Sequence, residues 1–249
     1  PLRMRIKFRQ EQTLVQNRTI VYDSVGVGLG QYRYDPIFNT YIHDLNGSFI
    51  SYSVLSGVRI PNTIIKGFQD LNLNLEKLLG FSGMSLRLNS KQQFQGKETS
   101  FDYIINPNIN DSLVTRSYIF NRIELTSSQK TRMMGWLQNS KNYSGLDSRG
   151  NSLVHSKEVG VDFNHPLNNI TTIRNEGKFK TNFVESTVSA LQNRNSYGWW
   201  NNSQLQMRLS DGFDIDFGFI LGKENGVQKE FDFIGNAVGL TLESRVLIK

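Results

Sequence analysis

The chain has 249 residues, 28 Lys+Arg against 22 Asp+Glu, three His and no Cys. Without Cys there are no disulfide staples, no Cys-ligated zinc and no thiol catalysis. The formal charge of +6 is mild and dispersed, and does not by itself indicate a nucleic-acid binder. Asn is nearly as common as Lys and Arg combined, and Ala190 and Ala237 are the only alanines. Asn and Ser compete with helical hydrogen bonds, and the missing alanines remove the best helix former. The many Phe and Tyr suit pleated surfaces.

Leu2, Met4, Ile6 and Phe8 alternate with Arg3, Arg5, Lys7 and Arg9, a period-two pattern that predicts a strand. A second strand is expected from Thr13 to Tyr22. The glycine-punctuated turn Asp23–Gly30 follows. Short strands at Tyr32–Tyr34, Tyr41–Ile42 and Phe49–Val54 are separated by Asp35-Pro36-Ile37-Phe38-Asn39 and Asp44-Leu45-Asn46-Gly47. Both separators carry turn chemistry.

From Gly67 the strands lengthen. Leu71, Leu73 and Leu75 alternate with Asn72 and Asn74; Met84, Leu86 and Leu88 alternate with Ser85, Arg87 and Asn89. Leu113–Leu125 and Lys130–Gln138 form a pair around Thr126-Ser127-Ser128. Leu153–Phe163, a turn at Asn164–Asn169 and the strand around Phe179, Thr181 and Phe183 come next. A short helix over Val184–Gln192 is conceivable, but its Ser and Thr content speaks against it. Gln204–Leu209 leads to an Asp211-Gly212 hairpin signal, then to a strand carrying Phe213, Ile215, Phe217, Phe219 and Leu221. A loop is expected at Lys223–Gly226. Val238, Leu240, Leu242, Val246 and Ile248 share one face of the final strand.

The fold class is therefore all-β, an antiparallel meander. Two units are expected: a short-strand, turn-rich β module over 1–66, and a long-strand meander or barrel segment over 67–249. Both chain ends fall within strand patterns, which suggests a segment of a larger domain whose open edges would aggregate in isolation.

One-sided alternation fits a soluble sheet, with its apolar face inward, or an outer-membrane barrel, with its apolar face on lipid. Strands near ten residues, high polarity despite clear stripes, and aromatics near strand ends favour the barrel. Those aromatics are Tyr197, Trp199, Trp200, Phe231 and Phe233, the expected interface residues. The plainer reading of a Trp pair is ordinary core filling.

The run Tyr22–Pro36, with Val25-Gly26-Val27-Gly28-Leu29-Gly30-Gln31-Tyr32 and Tyr34-Asp35-Pro36, followed by Asn39–Ile50 with Asp44-Leu45-Asn46-Gly47, resembles a segment of very large surface-exposed outer-membrane proteins of Gram-negative bacteria. The motif covers about thirty residues; the remainder matches in rhythm only. The resemblance implies a location at the outer membrane or cell surface and a barrel-like architecture, not a reaction. Outer-membrane lipid is the expected partner, and other envelope proteins are candidates.

No residue set points to catalysis, and the expectation is a non-enzyme. The Gly26–Gly30 run lacks G-x-G-x-x-G spacing and a following helix, so no nucleotide is assigned; no nucleic acid is assigned either. Asp35, Asn39, Asp44 and Asn46 offer oxygens to calcium, but paired β-turns explain them better. Asp211, Asp214 and Asp216 read as a turn opener and a polar strand face. His43, His155 and His165 lack metal-ligand spacing. No cofactor and no metal are assigned. Arg3, Arg5, Lys7 and Arg9 stack about 7 Å apart along one strand face, twice the rise per residue. Facing a lumen they favour anions; facing headgroups they meet lipid phosphates. The plainer reading is a solvated face or a charged edge that discourages aggregation.

Overall fold

The computed structural model describes residues 2–109, 113–147, 150–187, 193–210, 213–228 and 231–246. They form one twelve-stranded antiparallel sheet with two helical turns. The strands are β1 (Leu2–Ser24), β2 (Gly30–Asp35), β3 (Thr40–Gly47), β4 (Phe49–Asn74), β5 (Met84–Gly96), β6 (Val114–Ser128), β7 (Arg132–Asp147), β8 (Gly150–Pro166), β9 (Thr171–Ser186), β10 (Arg194–Ser210), β11 (Phe213–Gln228) and β12 (Phe231–Val246). The helical turns are α1 (Leu75–Leu79) and α2 (Asp102–Ile105).

From β4 to β12 each strand pairs with the next, and β1 lies along the other side of β4. Among the described residues no pairing joins β1 to β12, so the sheet is open.

The two strands expected at Leu2–Arg9 and Thr13–Tyr22 are one strand. β1 keeps register with β4 from Leu2↔Leu73 to Ser24↔Phe49, with a shift between Gln16 and Arg18. The polar run Gln10-Glu11-Gln12 looks like a break in sequence, but its backbone is paired to Ile65, Ile64 and Thr63. The division expected at residue 66 falls inside β4. Since β5 covers β4 only from Thr63 to Asn74, the distal halves of β1 and β4 project as a two-stranded ribbon. Pro61, which has no N–H to donate, sits in the part of β4 that β5 leaves uncovered.

The β2–β3 hairpin caps the ribbon tip. Its glycines are required by close approach: a Cβ on Gly30 would lie 2.4 Å from the Phe49 backbone nitrogen, and one on Gly47 would lie 2.2 Å from the Tyr32 carbonyl oxygen. Asp35 Oδ1 accepts from the Ile37 N–H at 2.9 Å, closing the β2–β3 turn. The turn expected at Asp44–Gly47 instead lies inside β3, where the register with β2 shifts and Asp44 Oδ1 accepts from the Asn46 N–H at 3.0 Å. Tyr22 stacks on Tyr41 with ring centroids 3.9 Å apart, and Tyr32 and Phe49 meet these rings edge-on.

The loop expected at Lys223–Gly226 lies within β11. Those polar residues pair with Trp199–Ser196 of β10 on one side and with Asn236–Phe233 of β12 on the other. Val184–Ser186 close β9 and Thr187 bonds to Asn151; residues 188–192 of the conceivable helix lie outside the described residues, as do the Asp211-Gly212 turn and Ile248.

A small apolar core forms where the connection carrying α2 folds onto the sheet near the ribbon base. Ile104 packs on Ile65, Phe94, Val114 and Ile119, with Tyr103 and Tyr143 at its margin. Phe94 and Ile65 are fully buried, each contributing roughly 1.5–3 kcal/mol. Gly67 leaves room for Ile104, whose Cδ1 would lie 3.0 Å from an added Cβ.

Candidate functional site

The register sorts side chains onto two faces, since period two is carried unbroken from strand to strand. One row reads Leu71, Leu88, Ile123, Leu137, Val159, Phe179, Trp199. Neighbouring rows on the same face add Leu73, Leu86, Leu125, Val161, Leu221 and Val238, and then Phe163, Phe219 and Leu240. These side chains make an apolar surface. They are also open to the outside: Leu137 is 57% exposed, Val161 50%, Phe217 46% and Leu240 82%.

The surface has a polar border toward the ribbon end. Gln69, Ser90, Asn121, Asn139, Lys157 and Thr181 lie side by side in register there. Within the apolar surface, Asn175, Asn201 and Ser203 satisfy one another. The Asn175 Nδ2 donates to Ser203 Oγ at 2.7 Å and to Asn201 Oδ1 at 3.2 Å, and Asn201 Nδ2 returns a bond to Asn175 Oδ1.

The opposite face carries the charges. Near the ribbon base the apolar face is the covered one, with Ile65 and Phe94 buried under the α2 connection, but across β7–β11 the charged face is the more enclosed one. Trp136 is 6% exposed and Ser196 1%. Ion pairs run across it: Asp70–Arg87 at 2.7 Å, Arg122–Glu124 at 2.6 Å, Asp162–Arg174 at 3.1 Å and Arg194–Glu224 at 2.7 Å. Their carboxylates are 18–25% exposed, so these contacts are better shielded than fully exposed pairs. The Trp136 indole N–H donates to Glu158 at 2.8 Å while Arg122 stacks over its ring at 5.2 Å. Trp200 covers Gly222 and approaches Gly198. Large rings set against glycines let this face close inward.

The expected interface aromatics are divided between the faces. Tyr197 and Trp199 lie on the apolar surface, 52% and 46% exposed. Trp200, Phe231 and Phe233 carry the opposite parity and lie on the polar face. There Phe233 sits under the Arg194 guanidinium at 4.6 Å. Arg3, Arg5, Lys7 and Arg9 do share one face of β1, the polar one, along the free edge of the sheet. Arg9 pairs with Glu11 at 2.6 Å.

Sequence reasoning did not single out Trp136, Glu158 and Arg122. Their signal was parity: Trp136 alternates in step with Gln138 and Ser140, not with Leu137.

The remaining candidates are absorbed locally. Asp35 caps its own turn, Asp44 accepts from the Asn46 N–H at the irregularity within β3, and Asn39 Oδ1 accepts from the Tyr34 hydroxyl at 2.7 Å. Asp214 pairs with Arg208 at 3.4 Å; Asp211 lies outside the described residues. His155 Nε2 lies 2.7 Å from Asn139 Oδ1, and His165 Nδ1 lies 2.7 Å from Thr131 Oγ1. Among the described residues no three His, Asp or Glu side chains gather as a metal site. No described helix is long and apolar enough to cross a membrane, a criterion that does not address β-barrels. No family model and no curated protein matches the chain.

Proposed function

We propose that this chain is a wall-forming segment of a bacterial outer-membrane β-barrel protein, with a transport, translocation or envelope-structural role. The supporting observation is the inverted polarity of the meander. Away from the small core under α2, apolar side chains cover the more exposed surface, whereas charged and hydrogen-bonded side chains cover the more enclosed one. In water that arrangement forfeits hydrophobic burial; in lipid it gains burial for every outward residue.

The direction of the strands supports the same reading. The register row from Leu73 to Val238 begins one residue from the β4 end at Asn74. It finishes eight residues from Val246 in β12. Such a climb is the stagger of tilted barrel strands. The apolar surface follows the strand ends rather than the hydrogen-bonded rows, as a level band across tilted strands does. Lipid is thus the partner, and no catalytic role is assigned.

A soluble, surface-displayed module for adhesion or scaffolding is the second reading. It is favoured by the projecting ribbon, whose tip exposes Val27, Ile37, Phe38 and Leu45.

Fractionation decides between them. The barrel reading expects the chain in the detergent-extractable membrane fraction with heat-modifiable gel migration. Recovery as a monodisperse protein without detergent would overturn it.

A further inference from the structure

We propose that the free edges of β1 and β12 pair with each other, closing β1 and β4–β12 into a ten-stranded barrel with the polar face inside. The inference rests on the barrel reading above; its argument comes from the two edges and from the stagger of the strands between them.

Direction fits first. β1 and β11 run the same way through the alternating meander, so β12 meets β1 antiparallel, and ten is an even count. Face fits second. Leu2, Met4 and Ile6 lie on the apolar surface of β1, as Val238, Leu240 and Leu242 do on β12. Even-numbered residues of both strands therefore join one continuous exterior.

Charge fits third. Asp216 and Glu243 stand directly opposite each other in the β11–β12 ladder on the polar face. Like charges so placed repel. Among the described residues neither has an ion-pair partner. At the far edge of the sheet, on the same face, Arg3 and Lys7 also lack one, while Arg5 lies opposite Asp70, which already pairs with Arg87, and Arg9 is held by Glu11. One edge carries a pair of carboxylates beside the single Arg245, and the other carries an excess of cations over carboxylates. Closure brings the two together.

Stagger sets the register. The row through Leu73 climbs seven residues over the eight steps from β4 to β12. One further step at that slope takes it about nine residues into β1. Val238 then faces Gln10 or Gln12, and Glu243 faces Arg5 or Lys7. The backbone groups along both edges find partners, which a membrane requires.

The test uses the whole chain folded in detergent micelles. The protein has no Cys, so introduced pairs stand alone. Ile6→Cys is combined with Leu242→Cys in one variant and with Ser244→Cys in another. Closure expects an intramolecular disulfide on mild oxidation in one of the two, seen as faster gel migration that reductant abolishes. Ile6→Cys with Glu243→Cys, on opposite faces, is expected to stay reduced. Disulfides only between molecules would assign the edges to a second copy and overturn the proposal, as would no disulfide in either pair.

Amide hydrogen exchange on the unsubstituted protein guards against misfolded variants. Closure expects β12 amides to exchange as slowly as those of β11; fast exchange confined to β1 and β12 would overturn it. Membrane partition of the same samples separates the two readings. Partition without crosslinking removes closure alone, and crosslinking without partition removes the lipid-facing reading alone.

Discussion

The indole of Trp136 occupies the space that a side chain on Gly160 would need. A Cβ built there meets Trp136 Cζ2 at 2.2 Å, and the two residues face each other across β7 and β8. This is a large-against-small pair on the polar face, and it lets two strands curve toward one another while keeping the Trp136–Glu158 hydrogen bond. Gly160→Ala therefore forces the ring to move. We expect a loss of about 1–3 kcal/mol, read as lower resistance to urea in detergent, with a changed tryptophan emission spectrum. Gly135→Ala on the same pair of strands, where the nearest neighbour to an added Cβ lies 4.0 Å away, is expected to be mild by comparison.

The apolar surface makes a prediction that differs sharply between water and lipid. Leu137 is 57% exposed, so Leu137→Arg in a soluble sheet would change stability by only about 0.5 kcal/mol. Facing a bilayer, the same change costs about 2–4 kcal/mol near the midplane. Gln206→Arg, on the polar face opposite Asp216, is expected to be tolerated. Folding yield into lipid vesicles measures both. Equal yields for the two variants would remove lipid from the apolar side.

The ribbon tip is held separately from the meander. Gly47→Ala places a methyl group against the Tyr32 carbonyl, and neither backbone can yield without losing β2–β3 pairing. We expect hydrogen exchange to accelerate over 28–49 by at least tenfold, the equivalent of about 1.4 kcal/mol. Protection in β6–β11 should be unchanged.

At the base of that tip the Tyr52 hydroxyl donates to Asp23. This bond, with a smaller contribution from burial and from the Asp23 charge, holds the phenol above its ordinary titration range. The bond favours the protonated phenol, so its contribution is complete below the ordinary tyrosine range and is lost as pH rises through the elevated value. Ring-carbon NMR of Tyr52 is expected to report a late alkaline transition, and Asp23→Asn to move it earlier. An unmoved transition would remove Asp23 as the cause.

Much of this architecture was legible in the residues. Alternation placed Leu71 with Leu73, and Phe217 with Phe219, on common faces, and it placed Arg3 through Arg9 on the other. The continuity of β1 was not legible. Gln10, Glu11 and Gln12 have no apolar partner in sequence, and their strand geometry comes from pairing with Thr63–Ile65. The extension of β11 through Lys223–Gly226 was hidden for the same reason: a polar stretch with glycine reads as a loop until strands on both sides claim its backbone. The aromatic group was read too coarsely. Trp199 and Trp200 are adjacent, and adjacency in a strand sends them to opposite faces.

The sequence by itself determined that the chain is all-β and which residues travel together, because a side-chain period of two is a local property of extended backbone. It did not determine which set lies inside. Period two is unchanged when the two faces are exchanged, and only curvature distinguishes them. Pairing between neighbouring strands brings together contacts that the local pattern does not show: Trp136 on Gly160, Trp200 on Gly222, and Arg194 across to Glu224. They shield the charged face of β7–β11, while the leucines, valines and phenylalanines of the other face stay exposed except where the α2 connection covers Ile65 and Phe94.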